Sequence, residues 1–182
     1  EIKSYSKTNP TLSYSNIKLT YDDKNRLTKW EEEGKDEGSI ENQIITFEYD
    51  QNIVYITSIA STDDPDDPNT YTAYLNDAGF VIRTENTDQE ISSFEYDSEN
   101  RLIRMTQADE WQEYVWEDGN IVKIKYGDGQ GETEITNYTY YAELENRMNI
   151  DLFFDRISRD EELVMAGLTG IPCHNMLQKE RG

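Results

Sequence analysis

The chain has 182 residues, with 17 Lys and Arg against 38 Asp and Glu, for a formal net charge of −21. A surface this acidic repels phosphate backbones and anionic headgroups, which argues against nucleic acid or acidic membranes as partners. The lone Cys173 excludes an intramolecular disulfide and weakens any thiolate metal site, and no apolar run approaches the roughly 20 residues of a membrane-crossing helix.

A chain that is 30% charged and 35% hydrophobic borders on the composition of disordered proteins. Its 13 Tyr, 5 Phe and 3 Trp point the other way, because they sit in alternating runs. Residues 1–10 read as a polar tether. From Thr11 to about residue 149 the period is two, as in strands. Ile17, Leu19 and Tyr21 share one face, and Ile45, Phe47 and Tyr49 share another opposite Thr46 and Glu48. The stretch from Ile53 to Ser61 is apolar on both sides, which predicts a strand covered on both faces. Asp63-Asp64-Pro65-Asp66-Asp67-Pro68 must be a loop. Tyr71–Leu75, Phe80–Thr84, Ile91–Tyr96 and Leu102–Gln107 predict two more hairpins. Trp111–Trp116 is expected to pair with Ile121–Tyr126 through Asp118-Gly119-Asn120, and Thr133–Tyr141 is the last strand predicted.

One turn pattern recurs. Tyr21-Asp22-Asp23-Lys24-Asn25-Arg26-Leu27 and Tyr96-Asp97-Ser98-Glu99-Asn100-Arg101-Leu102 are its full copies, with weaker ones after Tyr49, Leu75 and Trp116. Asp and Asn bond their own backbone across a turn and tolerate positive φ. The residues before these five turns are 20 to 28 apart, a degenerate repeat in which each step accommodates a hairpin. Beyond residue 150 the period changes. Ser158 and Glu161 form a capping box for a short helix with Leu163, Val164, Leu168 and Ile171 on its buried side. Gly167, Gly170 and Pro172 end it, and residues 173–182 read as a polar tail. The predicted organisation is thus a tether (1–10), a repeat-built sheet (11–149), an apolar C-terminal segment with a helix (150–172) and a tail (173–182). The fold class is all-β: an antiparallel meander of about eleven strands, curved as a single sheet or open half barrel, with the short helix packed on it.

The Tyr-Asp-x-x-Asn-Arg-Leu stretches resemble the tyrosine-aspartate repeats of Rhs-type cell-surface and toxin-shell proteins, whose spacing is steadier. The degenerate meander, closed by Asn149-Ile150-Asp151-Leu152 and an apolar helix, is more similar to a family of Bacteroidetes secreted lipoproteins of unknown function with a porin-like fold. That resemblance covers roughly residues 11–172. It implies an exported protein of the periplasm or cell surface, lipid-anchored in its precursor, and it supplies no catalytic residues. The chain begins at Glu1 rather than Met, which fits a leader either removed or left outside this sequence.

Candidate sites are few. His174 is the only histidine and neighbours Cys173, but adjacent side chains seldom meet productively as a dyad. Glu113 and Glu117, beside Trp111, Tyr114 and Trp116, could serve as a carboxylate pair for a hydrolase, although chance pairs are expected among 38 acids. Asp63, Asp64, Asp66 and Asp67 offer hard oxygen ligands to calcium, without the glycine and closing glutamate of an EF-hand. Trp30, Trp111 and Trp116 could stack sugar rings or anchor a protein partner; the alternative is that they fill the core. The sequence therefore predicts a non-enzymatic envelope protein acting as a binding or structural scaffold. A carbohydrate-binding module is the alternative, and a carboxylate hydrolase stands behind it. Exposed strand edges leave the oligomeric state open.

Overall fold

The computed structural model describes residues 2–5, 14–36, 39–60, 68–147 and 161–181. The chain divides into two compact units, residues 1–73 and 74–182. In the first, β1 (Ile2–Tyr5), β2 (Tyr14–Tyr21), β3 (Leu27–Asp36), β4 (Ser39–Asp50) and β5 (Ile53–Ala60) pair antiparallel in sequence order. β6 (Asn69–Leu75) carries the chain across the unit boundary. The second unit holds β7 (Val81–Asn86), β8 (Ile91–Tyr96), β9 (Leu102–Gln107), β10 (Glu110–Glu117), β11 (Asn120–Asp128), β12 (Gly131–Glu145), the helix α1 (Glu161–Met165) and β13 (Asn175–Arg181). Its strands also follow sequence order, so the all-β antiparallel meander expected from the turn pattern is what forms.

Two strands exceed the expected eleven among the described residues, and both lie where the sequence reads as tether or tail. β1 pairs Ile2–Tyr5 with Tyr14–Ile17, and β13 pairs with β12 from Asn137↔Arg181 to Glu145↔Asn175. Edge strands pair through their backbone and need no apolar face.

In the first unit Leu27, Trp30, Ile45, Phe47, Val54 and Ile56 form the core. Leu19, Trp30, Ile45 and Ser58 lie in one row across β2–β5. β5 is not covered on both faces as its sequence suggests. Val54 and Ile56 are fully buried, but Tyr55 is 46% exposed opposite Glu48. A tyrosine tolerates this because its apolar body carries a polar tip. In the second unit Val81, Phe94, Leu102, Met105, Tyr114, Ile121, Ile124 and Tyr138 are buried together with Leu163, Val164, Leu168 and Cys173.

Four hairpins turn by the same device. The side-chain oxygen Oδ1 of Asp22, Asn76, Asn86 or Asp97 accepts the backbone N–H of the residues two and four further on, at 2.9–3.0 Å. The residue three further on takes positive φ: Asn25 (59°), Gly79 (86°), Gln89 (64°) and Asn100 (62°). This is a type I turn closed by a left-handed residue, the common three-residue hairpin loop. Where the first residue is Asp, its second oxygen takes the guanidinium at position four, Arg26 Nε at 2.8 Å or Arg101 Nε at 2.7 Å. Where it is Asn, position four is Phe80 or Glu90, and Asn86 Nδ2 donates to Glu90. Asp118 (φ 48°) and Gly119 (φ 77°) make the tighter two-residue turn between β10 and β11, both residues left-handed as a type I′ turn requires.

α1 ends in a paired cap. Gly167 N–H donates to Val164 C=O and Leu168 N–H to Leu163 C=O, with Gly167 at φ 71° and both leucines buried. Ser158, the expected N-cap, and Leu152–Ile157 lie outside the described residues. Ile171 does not join the helix's buried side. It is 47% exposed, because after Gly167 the chain leaves the helix and crosses the turns. Val81 N–H donates to Leu168 C=O, Ile171 N–H to Asn100 C=O, and His174 N–H to Gly119 C=O. The acceptors and donors on the turns recur every nineteen residues, and those on the crossing segment every three. Two strand spacings span about 9.6 Å and three residues reach at most roughly 10–11 Å, so the two repeats are commensurate. Gly170, at φ 97°, lies where a Cβ would sit 2.7 Å from Asn100 O and 2.8 Å from the Tyr96 ring.

Replacing Asp97 separates the two roles of its side chain. Asp97→Ala strips an acceptor from two backbone amides and should cost about 1–3 kcal/mol in urea unfolding. Asp97→Asn keeps Oδ1, as Asn76 and Asn86 do, and should cost less than half as much.

Candidate functional site

At the end of the second unit where the turns lie, ring-bearing side chains donate to backbone carbonyls of the preceding strand. Tyr96 OH donates to Val81 O (2.7 Å), Trp116 Nε1 to Leu102 O (2.8 Å) and Tyr140 OH to Ile121 O (2.7 Å). The first unit repeats the arrangement with Tyr49 OH and Leu27 O (3.0 Å). The fourth turn position packs against the ring: Arg26 lies 4.2 Å from the Tyr49 centroid, Arg101 5.8 Å from that of Trp116, and the Phe80 ring 5.8 Å from Tyr96.

The electrostatics follow from these bonds. The Arg26 amide, its guanidinium and the Lys24 amide hold Asp22 below the usual carboxylate range. Burial pushes Asp97 upward, but the amide and guanidinium of Arg101 and the Glu99 amide outweigh it and leave the group lowered. Lys18 and Lys29 lower Glu31 in the same way. Burial raises the Tyr49 phenol to about 12, and raises those of Tyr96 and Tyr114 further.

Three concavities lie within the second unit, one of them a hollow of about 390 Å³ between the β7–β8 and β9–β10 turns; the other two hold tryptophans. The first, of about 250 Å³, is lined by Met105, Gln107, Trp111, Gln112, Tyr126 and Asp128, among others. Trp111 is fixed there. Its indole N–H donates to Asp128 O at 3.3 Å, and Arg104 lies 5.4 Å from its ring while pairing with Glu113 at 2.7 Å. The ring lies over its cross-strand partner Gly127, where a Cβ would fall 2.2 Å from it. Gln112 is held by Tyr114 OH at 2.8 Å. The second concavity, about 920 Å³ and more open, follows the crossing segment past Arg101, Trp116, Asp118, Arg147, Pro172 and His174.

The other sequence candidates fall as follows. Trp30 is only 6% exposed, so its ring offers no platform to a ligand; its indole N–H has no partner among the described residues. Trp111 and Trp116 are half-buried, and each is tied to a backbone carbonyl. Glu113 is engaged by Arg104, whereas Glu117 is exposed at the end of β10. Cys173 points inward: its sulfur accepts Ile121 N–H at 3.3 Å and lies 3.5 Å from Tyr140 OH, while His174 is exposed. The two therefore form no dyad. Asp63, Asp64, Asp66 and Asp67 lie outside the described residues. Among the described residues no cluster of three His, Cys, Asp or Glu is arranged to hold a metal, and no helix is long and apolar enough to cross a membrane. The cleft residues Gln107, Gln112 and Asp128 were not singled out from sequence. Their positions on β9–β11 and the pairing of Gln112 with Met105 and Tyr126 are the signal that could have found them.

The Trp111 recess gives a direct test. Gly127→Val should eject the indole from its seat, red-shifting tryptophan emission and weakening the Arg104–Glu113 pair. Gly131→Ala, with open space around its Cβ, controls for loss of glycine as such, although its φ of 134° carries backbone strain of its own. A variant whose emission stays in place would place Trp111 elsewhere.

No curated protein matches this chain by sequence. A porin-like protein from Bacteroides uniformis, known from its crystal structure, superposes with a TM-score of 0.73 at 15% identity, over 98% of this chain and 76% of that one. That likeness is one of fold. The model of a domain of unknown function (DUF4595) with porin-like fold matches residues 17–181. The match runs from within β2 to the end of β13, and the chain belongs to this family of unknown-function domains with a porin-like fold.

Proposed function

We propose that this domain is a non-catalytic scaffold of the cell envelope, exported and lipid-anchored through residues upstream of Glu1. The observation that carries the non-catalytic part is what its partnered carboxylates hold: Asp22 and Asp97 bind turn amides and an arginine, Glu31 binds two lysines, and Glu113 binds Arg104. A general acid for hydrolysis needs a raised pKa. Every described carboxylate with a displaced titration, Asp22, Glu31 and Asp97, is displaced downward by cations and amides. These groups hold turns and strands together. The envelope part rests on the sequence's resemblance to secreted lipoproteins and on an acidic chain with a single, buried cysteine. Fractionation of cells making the full-length precursor tests it. Recovery in the membrane fraction, lost when any cysteine at the end of a leader is changed to serine, is the expected result. A precursor retained in the cytoplasm would overturn it.

The cleft at Trp111 favours one second reading, recognition of a neutral glycan. An indole fixed in place, amides at Gln107 and Gln112 and the Asp128 carboxylate suit a ligand rich in hydroxyls. Titration with neutral oligosaccharides should then change tryptophan emission in the native chain and not in Trp111→Leu. A flat titration across a broad glycan panel removes this reading and leaves the scaffold.

A further inference from the structure

The fold sets a second hollow against the Trp111 cleft. The 390 Å³ concavity is lined by Glu90 and Ile91 where β8 begins, and by Gln107, Asp109 and Glu110 around the β9–β10 turn. Gln107 and Glu110 also line the Trp111 cleft. They are partners across β9 and β10, and Gln107 is paired with Ser92 of β8 on its other side. The two hollows therefore adjoin at the end of one hairpin and share its last rung as a wall. Asp109, in the turn itself, leans toward the β11–β12 turn: its Oδ2 lies 3.8 Å from the place a Cβ on Gly129 would take.

Together the hollows run from β8 to β11, three strand spacings or about 14 Å. A single ring seated at Trp111 would use only one end of that length. The wall chemistry is of one kind along it. The Trp111 indole at one end and Ile91, 43% exposed, at the other offer apolar surface to the C–H faces of sugar rings. Between them the Gln107 amide both donates and accepts. Glu90, Asp109 and Asp128 add acceptors for hydroxyls. Glu90 and Asp128 already take hydrogen bonds from neutral donors, Asn86 Nδ2 at 3.1 Å and the Gln130 N–H at 2.8 Å. Elsewhere in this unit Glu85, Asp97 and Glu113 are each covered by an arginine. Neither hollow has a Lys or Arg among the described residues that line it, so the carboxylates there repel an anionic chain.

We propose that the two hollows are one groove, and that its ligand is a linear, uncharged oligosaccharide lying lengthwise from Trp111 to Ile91. The assignment rests on the glycan reading of the Trp111 cleft and adds to it a length and a charge rule. One ring packs on the indole in the first hollow. The units that follow pass Gln107 and reach the Asp109 and Glu90 carboxylates in the second. Each further unit inside the groove gains contacts on a surface already formed, so affinity rises with chain length until the groove is full.

Calorimetric titration of the full chain with neutral linear oligomers, from disaccharide to hexasaccharide in the malto-, cello- and N-acetylglucosamine series, tests it. In a series that binds, affinity should rise about tenfold from disaccharide to tetrasaccharide. Glu90→Ala combined with Asp109→Ala should abolish that gain and leave the disaccharide unchanged, whereas Trp111→Leu should weaken both. Glu90 and Asp109 are exposed, and thermal unfolding checks that the double variant folds. In the wild type, an oligogalacturonate of equal length should bind several-fold more weakly than the neutral tetrasaccharide. A disaccharide bound as tightly as its tetrasaccharide overturns the proposal and leaves the glycan reading standing. A gain with length that survives loss of both carboxylates does the same, as does an oligogalacturonate bound as tightly as the neutral chain. Silence from every neutral series removes the glycan reading and the proposal with it.

Discussion

One side-chain oxygen organises each of four hairpins of this domain. At Asp22, Asn76, Asn86 and Asp97 it takes two backbone amides that a three-residue loop would otherwise leave to water. An antiparallel meander has no crossover helices to set its strands, so the turns alone decide where each strand starts. Fixing the turn fixes the register, and the register places Leu27, Val81 and Leu102 in the core directly after it. The left-handed residue that closes the loop must be Asn or Gly, or carry the strain that Gln89 carries at φ 64°.

Rings on the strands, three of them directly before turns, add a second layer. Tyr49, Tyr96, Trp116 and Tyr140 each hand a hydrogen to the carbonyl of a neighbouring strand's first residues. That explains why a protein so poor in aliphatic residues is rich in tyrosine. A phenol can pack as a core residue and still satisfy a carbonyl that the hairpin leaves open. Tyr49 gives up its proton only near pH 12. Because the folded value exceeds the unfolded one of about 10, the contribution of this group is intact below that range and fades as pH rises through it. The lowered carboxylates of Asp22 and Asp97 act in the opposite sense, present above the ordinary carboxylate range and lost as pH falls below it.

Much of this was legible in the sequence, for a local reason. Tyr-Asp-x-x-Asn-Arg-Leu contains the acceptor, the left-handed residue, the guanidinium and the first core residue within seven positions, and no distant contact is needed to read it. The turn at Asn86–Gln89 was harder to see because no aromatic residue precedes it and Gln89 is an unusual left-handed residue. β1 and β13 escaped because pairing at an edge is a backbone matter that leaves no hydrophobic period. The tryptophans could be named as candidates but not sorted. Burial separates Trp30 from Trp111 and Trp116, and burial depends on the rows that β2–β5 and β9–β11 build from residues far apart in sequence. The segment from Leu168 to His174 carried least signal of all, since it grips through amides and carbonyls that every residue has.

That grip couples two lengths of chain that have no sequence in common. A nineteen-residue hairpin on one side is gauged against three residues on the other, as two scales of a vernier are read together. Adding or deleting a hairpin by duplication would leave the crossing segment one tooth short or long. A lineage that lengthens this meander must therefore lengthen its tail end by a matching triplet, or forfeit the closure.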